Sequence, residues 1–209
     1  MARQRARELT RQRKPRALKR RFVLFCEGAN TEPGYFKLLV RLLNLRMVEI
    51  ELVTAAGDPL GIAQKAARWK SGKGLRVGNL EAYDDGDNIW AVFDRDEHER
   101  FEEAVALCER KGISVARSNP CFEIWLILHL EDCHAPLTRH EAQRRVKALC
   151  PEYDLNGGKC VDAARLLQHL DAAEARAEEH LARRASEGAP HGASSTTVHL
   201  LTRAIREKA

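Results

Sequence analysis

Several things are missing from this sequence of 209 residues. No apolar run approaches the roughly 20 residues that a helix needs to cross a bilayer. No apolar segment near the start resembles a secretory signal, and the Arg-rich opening contains no Ser, which argues against an organellar transit peptide. The six cysteines (Cys26, Cys108, Cys121, Cys133, Cys150, Cys160) include no C-x-x-C pair, so neither a zinc ribbon nor a disulfide framework is expected, only reduced and mostly buried thiols. There is no internal repeat. These absences together predict a soluble cytoplasmic protein with no membrane partner. The length suits one sizeable core with a helical appendage better than two full domains.

The net charge of +5 conceals an uneven distribution. Residues 1–21 hold ten Arg or Lys and one acid, Glu8, leaving 25 bases against 29 acids in the rest. Residues 1–20 are therefore expected to be a basic arm lacking fixed structure, either solvated or tracking phosphates. Residues 21–130 are expected to form an α/β core and residues 131–209 a helical C-terminal extension packed on it.

The run from Arg21 to Cys26 is almost wholly apolar, as in a strand buried on both faces. It ends at Glu27-Gly28. Thr31 is then expected to cap a helix with Pro33 near its start and Tyr35, Leu38, Leu39, Leu42 and Leu43 on its apolar face. Alternation over Val48–Thr54 predicts a half-buried strand near an edge, followed by a helix from Pro59 to Trp69. Ser71–Asp87 lacks periodicity and is expected to be a loop. Ile89–Phe93 is a second buried strand, ending at Asp94-Arg95-Asp96-Glu97. A helix over 97–111 stops at Gly112, and Ile113–Ala116 forms a fourth strand. This alternation predicts a doubly wound sheet, mostly parallel and flanked by helices. From Pro120 onward the pattern is helical, over 122–130, 139–149, 161–184 and 197–207, the third of these half exposed.

Ligands of doubly wound folds sit at the carboxyl ends of the strands, where Glu27, Asp94 and Asp96 are placed. Residues i and i+2 of an extended segment point the same way, so Asp94 and Asp96 can share one volume, and Glu27 joins them if the first and third strands are neighbours. Clustered carboxylates repel one another, and a hard cation such as Mg²⁺ or Mn²⁺ relieves that repulsion through oxygen ligands. Such an ion would polarise a phosphoryl oxygen. Glu97 could also ligate, or could serve the dipole of the helix it was expected to open.

A Glu ending one strand and D-x-D ending a later one resemble the Toprim fold of topoisomerases, primases and several nucleases. More closely, the chain resembles the RloB-like family of bacterial defence-associated proteins. The resemblance is carried by CEGANTEPGYF at 26–36, WAVFDRDE at 90–97 and SNPCFEIWLILH at 118–129, and more weakly by Tyr153 with Lys159 and by STTVH at 195–199. Ala193-Ser194 stands where that family usually has Asn-Pro. The resemblance covers roughly residues 21–205. It implies Asp94 and Asp96 as metal ligands, Glu27 as ligand or general acid/base, and a metal-dependent nuclease. RNA, tRNA above all, is the implied substrate, with antiphage defence the setting and a DNA endonuclease or a non-catalytic nucleic-acid or nucleotide-binding module as rivals. Too little chain remains for a topoisomerase's tyrosine-bearing domain, and a primase would need template-handling modules. A phospho-receiver domain would place its acidic pair on the first strand, the reverse of what is seen. Restraint by an inhibitor, an activator, a nucleotide signal or self-association would suit a toxin.

Further candidates come from side-chain chemistry. Glu123 and His129 are ionisable groups in an otherwise apolar helix, either members of the active site or a satisfied buried pair. Asn119 before Pro120 reads as a helix N-cap or a substrate contact. Lys159 follows two glycines and could meet phosphate. His199 and Arg203 share a helix face at i, i+4 as a candidate nucleic-acid contact. Thr31 and Glu32 open a helix whose N-terminus could hold phosphate, although capping explains them more simply.

Overall fold

The computed structural model describes residues 19–55, 57–72, 83–153 and 163–207. Its organisation follows from the first strand, β1 (Lys19–Cys26), whose side chains alternate between two separate cores. Phe22, Leu24 and Cys26 enter one and Val23 and Phe25 the other, each 2% exposed or less. A strand apolar on both faces needs helices over both. Tyr35, Phe36 and Leu39 of α1 (Thr31–Leu42) cover the first face. Ile62, Ala63 and Trp69 of α2 (Pro59–Lys70) cover the second, together with Phe101, Ala104 and Cys108 of α3 (Phe101–Arg110). α2 opens on a strong stop-and-start signal: Asp58 accepts from Gly61 N–H at 2.7 Å and Pro59 takes the first position.

The remaining strands are β2 (Val48–Thr54), β3 (Tyr83–Asp94), β4 (Ser114–Asn119) and β5 (Ser195–Thr196), in sheet order β2-β1-β3-β4-β5. The first four are parallel, and β5 runs antiparallel to β4. The chain steps outward from β1 to β2 on one side, then crosses to β3 on the other. Winding therefore reverses between β1 and β3, and a crevice opens at the carboxyl ends of that pair. This is the expected doubly wound α/β sheet, consistent with a Toprim-like fold, and β2 lies at the edge as its half-buried alternation implied.

Arg21 is buried near the start of β1 with its guanidinium bonded to Glu51 and 3.5 Å from Asp87. A buried charge persists only where paired.

α4 (Glu123–Leu130) is enclosed from Glu123 to His129 by α5 (Arg139–Leu149), α6 (Ala163–Leu167), α7 (Leu170–Ser186) and the sheet. Burying its Ile124, Leu126, Ile127 and Leu128 contributes about 2 kcal/mol each before chain entropy is charged. α8 (Val198–Arg206) adds Val198, Leu201 and Ile205 to the same core. α7 buries Leu170, Ala173, Glu174, Ala177 and His180 and leaves its other faces open, so it is half exposed as expected.

Several boundaries differ from the sequence reading. β3 begins at Tyr83, inside the stretch read as loop, and α3 begins at Phe101, its first buried residue, instead of 97. The helix expected over 161–184 divides into α6 and α7 around Gln168-His169. β5, only two residues long, carries no readable period. Cys26, Cys108, Cys121, Cys133 and Cys150 are buried free thiols, while Cys160 lies outside the described residues. Among the described residues no helix is long and apolar enough to cross a membrane.

Candidate metal centre

β1 and β3 are neighbours in register, Cys26 opposite Val92, so the residues that follow meet. Glu27 N–H extends the ladder by one bond to the Val92 carbonyl at 3.1 Å, and Asp94 N–H donates to Glu27 Oε2 at 3.1 Å. The Glu27 carboxylate is thereby held over the end of β3. Asp94 is 7% exposed. Burial pushes its carboxyl well above the usual carboxylate range, and the negative charges of Glu32, Glu27 and Glu123 push it further, with Arg139 opposing. Burial also raises Glu27, against the pull of the Asp94 N–H, His98 and Arg139 and with added repulsion from Asp96. His98 Nε2 stands 3.9 Å from Glu27 Oε1.

Asp96 reaches the site by a route the sequence reading did not foresee. β3 ends at Asp94, and Asp96 has a left-handed φ of 42°, so the same-face argument for i and i+2 in a strand does not apply. Left-handed backbone costs a non-glycine residue about 1 kcal/mol, with Asp among the more tolerant types. The turn is strapped to the end of β4, Arg95 N–H donating to the Ser118 carbonyl at 2.7 Å and Asp96 N–H to the Pro120 carbonyl at 2.9 Å. The Asp96 side chain is bonded by Arg139, the first residue of α5. Burial disfavours the Arg139 charge, but Asp96 and Asp94 more than compensate. Glu97 lies in this turn ahead of α3, so it does not serve a helix dipole.

Glu123 belongs to the group. As the first residue of α4 it is 3% exposed, accepts a hydrogen bond from the Tyr153 hydroxyl, and repels Asp94. Glu32 belongs too, although it was read as part of a helix cap. The residue before α1 is Asn30 and no side chain caps the helix. Glu32 instead turns inward and its carboxylate packs over Gly28, where a methyl would collide with Glu32 Oε2. An acid five residues after the Glu27 of a Glu-Gly turn was the available signal.

His129 is not at this site. Its Nδ1 lies 2.8 Å from the Trp125 carbonyl and its Nε2 3.0 Å from the Tyr35 hydroxyl, so both ring nitrogens are used inside the core. Burial drives its pKa down from 6.5 to about 4, and the ring is neutral. Glu123 and His129 do not pair with each other, being roughly 9 Å apart along the helix axis. The satisfied-core reading holds for His129 with Tyr35 as its partner.

The other candidate contacts fare differently. Asn119 ends β4, opposite Ser195, and its Nδ2 donates to the His191 carbonyl at 2.5 Å; α4 starts only at Glu123, so Asn119 is not its cap. Lys159 lies outside the described residues. His199 is 2% exposed, and Arg203 is bonded to Glu174 at 3.1 Å and Glu178 at 3.0 Å. A buried imidazole and a doubly paired guanidinium do not form an open surface for phosphate.

The donors around Asp94 are carboxylate oxygens, the set that hard divalent cations prefer. Burial and mutual repulsion leave Asp94 favouring a bound proton or a bound cation. The residues present therefore fit Mg²⁺ or Mn²⁺, with Asp94 and Glu27 as the central pair. A second group, not singled out in the sequence, also has metal-ligating character. Asp132, His134 and His180 bring one ligand atom each to within 4.8 Å of one another. The D-C-H tripeptide at 132–134, directly after a buried helix, was its readable trace.

A family model described as RloB-like protein matches residues 22–205, a span that takes in both groups. No curated protein and no solved structure matches the chain. A match of that extent, over the same residues that build the sheet and its carboxylate crevice, places this chain in the RloB-like family.

Proposed function

We propose that the protein is a Toprim-type, divalent-metal-dependent nuclease that cleaves phosphodiester bonds, RNA in preference to DNA, with tRNA as the favoured substrate and antiphage defence as the setting. One observation carries the reading. Half-buried Glu27 and buried Asp94 meet at the switch point between adjacent parallel strands, joined by the Asp94 N–H bond and surrounded by Glu32, Glu123 and Asp96. The preference for RNA rests on the family resemblance.

Bound Mg²⁺ supplies Lewis-acid polarisation of a phosphoryl oxygen. Asp94 and Glu27 would hold the ion, and Asp96, bonded by Arg139, is the further carboxylate beside them. Glu27 is suited to exchange a proton with the attacking or leaving oxygen, because burial raises its carboxyl above the ordinary carboxylate value while the Asp94 N–H keeps it oriented. Arg139 is placed to pass from Asp96 to a substrate phosphate, which a guanidinium can bind through two N–H groups.

The test is incubation of the full chain with labelled tRNA, single-stranded RNA and duplex DNA, in Mg²⁺, Mn²⁺ or EDTA. Cleavage of tRNA that requires the metal, and disappears in Glu27→Gln and Asp94→Asn, is the expected result. Cleavage that persists in those variants sinks the site assignment. Preferential cutting of DNA overturns the substrate class, and metal binding without cleavage of any substrate points to a binding module.

A further inference from the structure

We propose that Asp132, His134 and His180 form a second metal site, for a transition-metal ion of the zinc class, separate from the carboxylate centre. The two sets share no residue and differ in chemistry. Two imidazoles and one carboxylate select zinc-like ions, whereas an all-oxygen set selects Mg²⁺.

The strongest argument is geometric: one ligand atom each of Asp132, His134 and His180 lies within 4.8 Å of the others, and the His180 ring is held in place from behind. That ring is fully buried, and Nδ1 lies 3.1 Å from the Ser194 carbonyl oxygen. A carbonyl only accepts, so Nδ1 donates to it, and Nε2 is the ring atom turned toward Asp132 and His134. Nε2 lies 2.6 Å from Asp132 Oδ1. A bound metal ion would take the place of the proton that otherwise joins these two atoms. An imidazole whose other N–H is anchored on a backbone carbonyl is also how metal-ligating histidines are oriented and kept in one tautomer.

The rest of the site is compatible. Asp132 Oδ2 lies 3.1 Å from His134 Nε2, and Cys133 N–H donates to Asp132 Oδ1 at 2.7 Å, fixing the carboxylate. His134 is exposed and its Nδ1 accepts from Arg183 at 2.6 Å, a bond the ring gives up on turning a lone pair to the ion. Asp132 and His134 line an open cleft with Glu131, Glu141, Arg144 and Arg145, which gives the ion a path of entry. Three protein ligands leave a fourth tetrahedral position for water.

Occupancy would join separate parts of the chain: the segment after α4, the middle of α7, and, through Ser194, the approach to β5. The first of these runs straight into Arg139, which bonds Asp96 at the carboxylate centre. An ion here anchors the segment that delivers Arg139.

The experiment is titration of the chelator-stripped full chain with Zn²⁺ alone, read by calorimetry and metal analysis, with Co²⁺ as a visible-absorption probe of tetrahedral ligation. One equivalent of Zn²⁺ that excess Mg²⁺ does not displace is expected. His180→Gln should weaken it by roughly 100-fold or more. His134→Ala, at an exposed ring whose loss leaves folding intact, should do the same, while Glu27→Gln and Asp94→Asn should leave it unchanged. Wild-type protein that binds no Zn²⁺, undiminished binding by folded His134→Ala, or loss of binding in the carboxylate variants would each overturn the proposal. Cleavage enters none of these readouts, so the result is independent of the nuclease assignment.

Discussion

Helices α1 and α4 each bring two polar groups into buried surroundings, one turn apart on α1 and at opposite ends of α4, and the two ends of α4 are built on opposite terms. At one end Tyr35 of α1 meets His129 of α4, a hydroxyl donor against an imidazole acceptor, while the remaining ring N–H finds the Trp125 carbonyl. At the other end Glu32 of α1 and Glu123 of α4 stand with Glu27 around Asp94, like charges that repel it, and Arg139 is the guanidinium that tempers both Asp94 and Glu27. A core requires the first arrangement, since buried polar atoms cost free energy unless paired. The second collects like charges, which folding alone does not favour. Balanced pairing within the protein marks the structural end, and a surplus of negative charge marks the end that awaits a cation.

The largest expected effect lies at the acid end. Asp94→Asn should lower metal-dependent cleavage by about a thousandfold or more, equivalent to about 4 kcal/mol of transition-state stabilisation. The same change should make the metal-free protein more stable at pH 8. The folded Asp94 carboxyl is raised well above 3.8, so the stability tied to its proton is fully present below that value and is lost as pH rises through the folded one. Asn carries no such penalty. Urea unfolding in EDTA should therefore show the variant ahead at pH 8, the gap closing toward acid pH, with Mg²⁺ rescuing only the wild type. A less stable metal-free variant at pH 8 would break the contrast between the two ends.

His129→Leu should behave in the opposite way, losing about 2–4 kcal/mol of stability through an orphaned Tyr35 hydroxyl and imperfect packing, while each folded molecule cleaves as before. Its pH dependence has a defined sign. With the pKa pushed down from 6.5 to about 4, the unfolded chain takes up a proton that the folded chain refuses. Stability is full above 6.5 and declines as pH falls toward 4, by on the order of 3 kcal/mol. Urea midpoints between pH 7 and 5 should fall in the wild type and lose that component in the variant. A loss of cleavage by well-folded His129→Leu would return His129 to the site.

What could be read in advance follows from the range of the interactions involved. Strand identity is local: Phe22–Cys26 and Ile89–Phe93 are apolar without alternation because both faces are covered, and the position just after such strands is where doubly wound folds place ligands. Glu27 and Asp94 were legible for that reason. The Asp96 turn was not, because it depends on straps to Ser118 and Pro120 and on an Arg 43 residues further along the chain. Glu32 was hidden behind a helix-start pattern that an acid fits equally well. Glu123 and His129 could not be separated on α4, since apolar periodicity does not say which end of a buried helix faces the sheet. Asp132, His134 and His180 come from two segments of the chain, brought together only by the packing of α7 against α4.

The smallest effect is also the one that sharpens the comparison most. Tyr153 is buried and its hydroxyl donates to Glu123; burial first, then the Glu123 charge, raises its pKa, so it remains a donor at any physiological pH. Tyr153→Phe keeps the ring and removes that single donor. If Glu123 serves the metal centre, the loss loosens a carboxylate that the ion itself can re-form around. Stability should then change little, while the Mg²⁺ concentration for half-maximal cleavage rises roughly five- to tenfold, about 1 kcal/mol. If Glu123 is instead a structural acid like its neighbours in the core, the variant unfolds earlier in urea and its Mg²⁺ dependence does not move. The two outcomes separate a polar group that packing satisfies from one that packing holds ready for a cation, at a position where both ends of the same apolar helix look alike in the sequence.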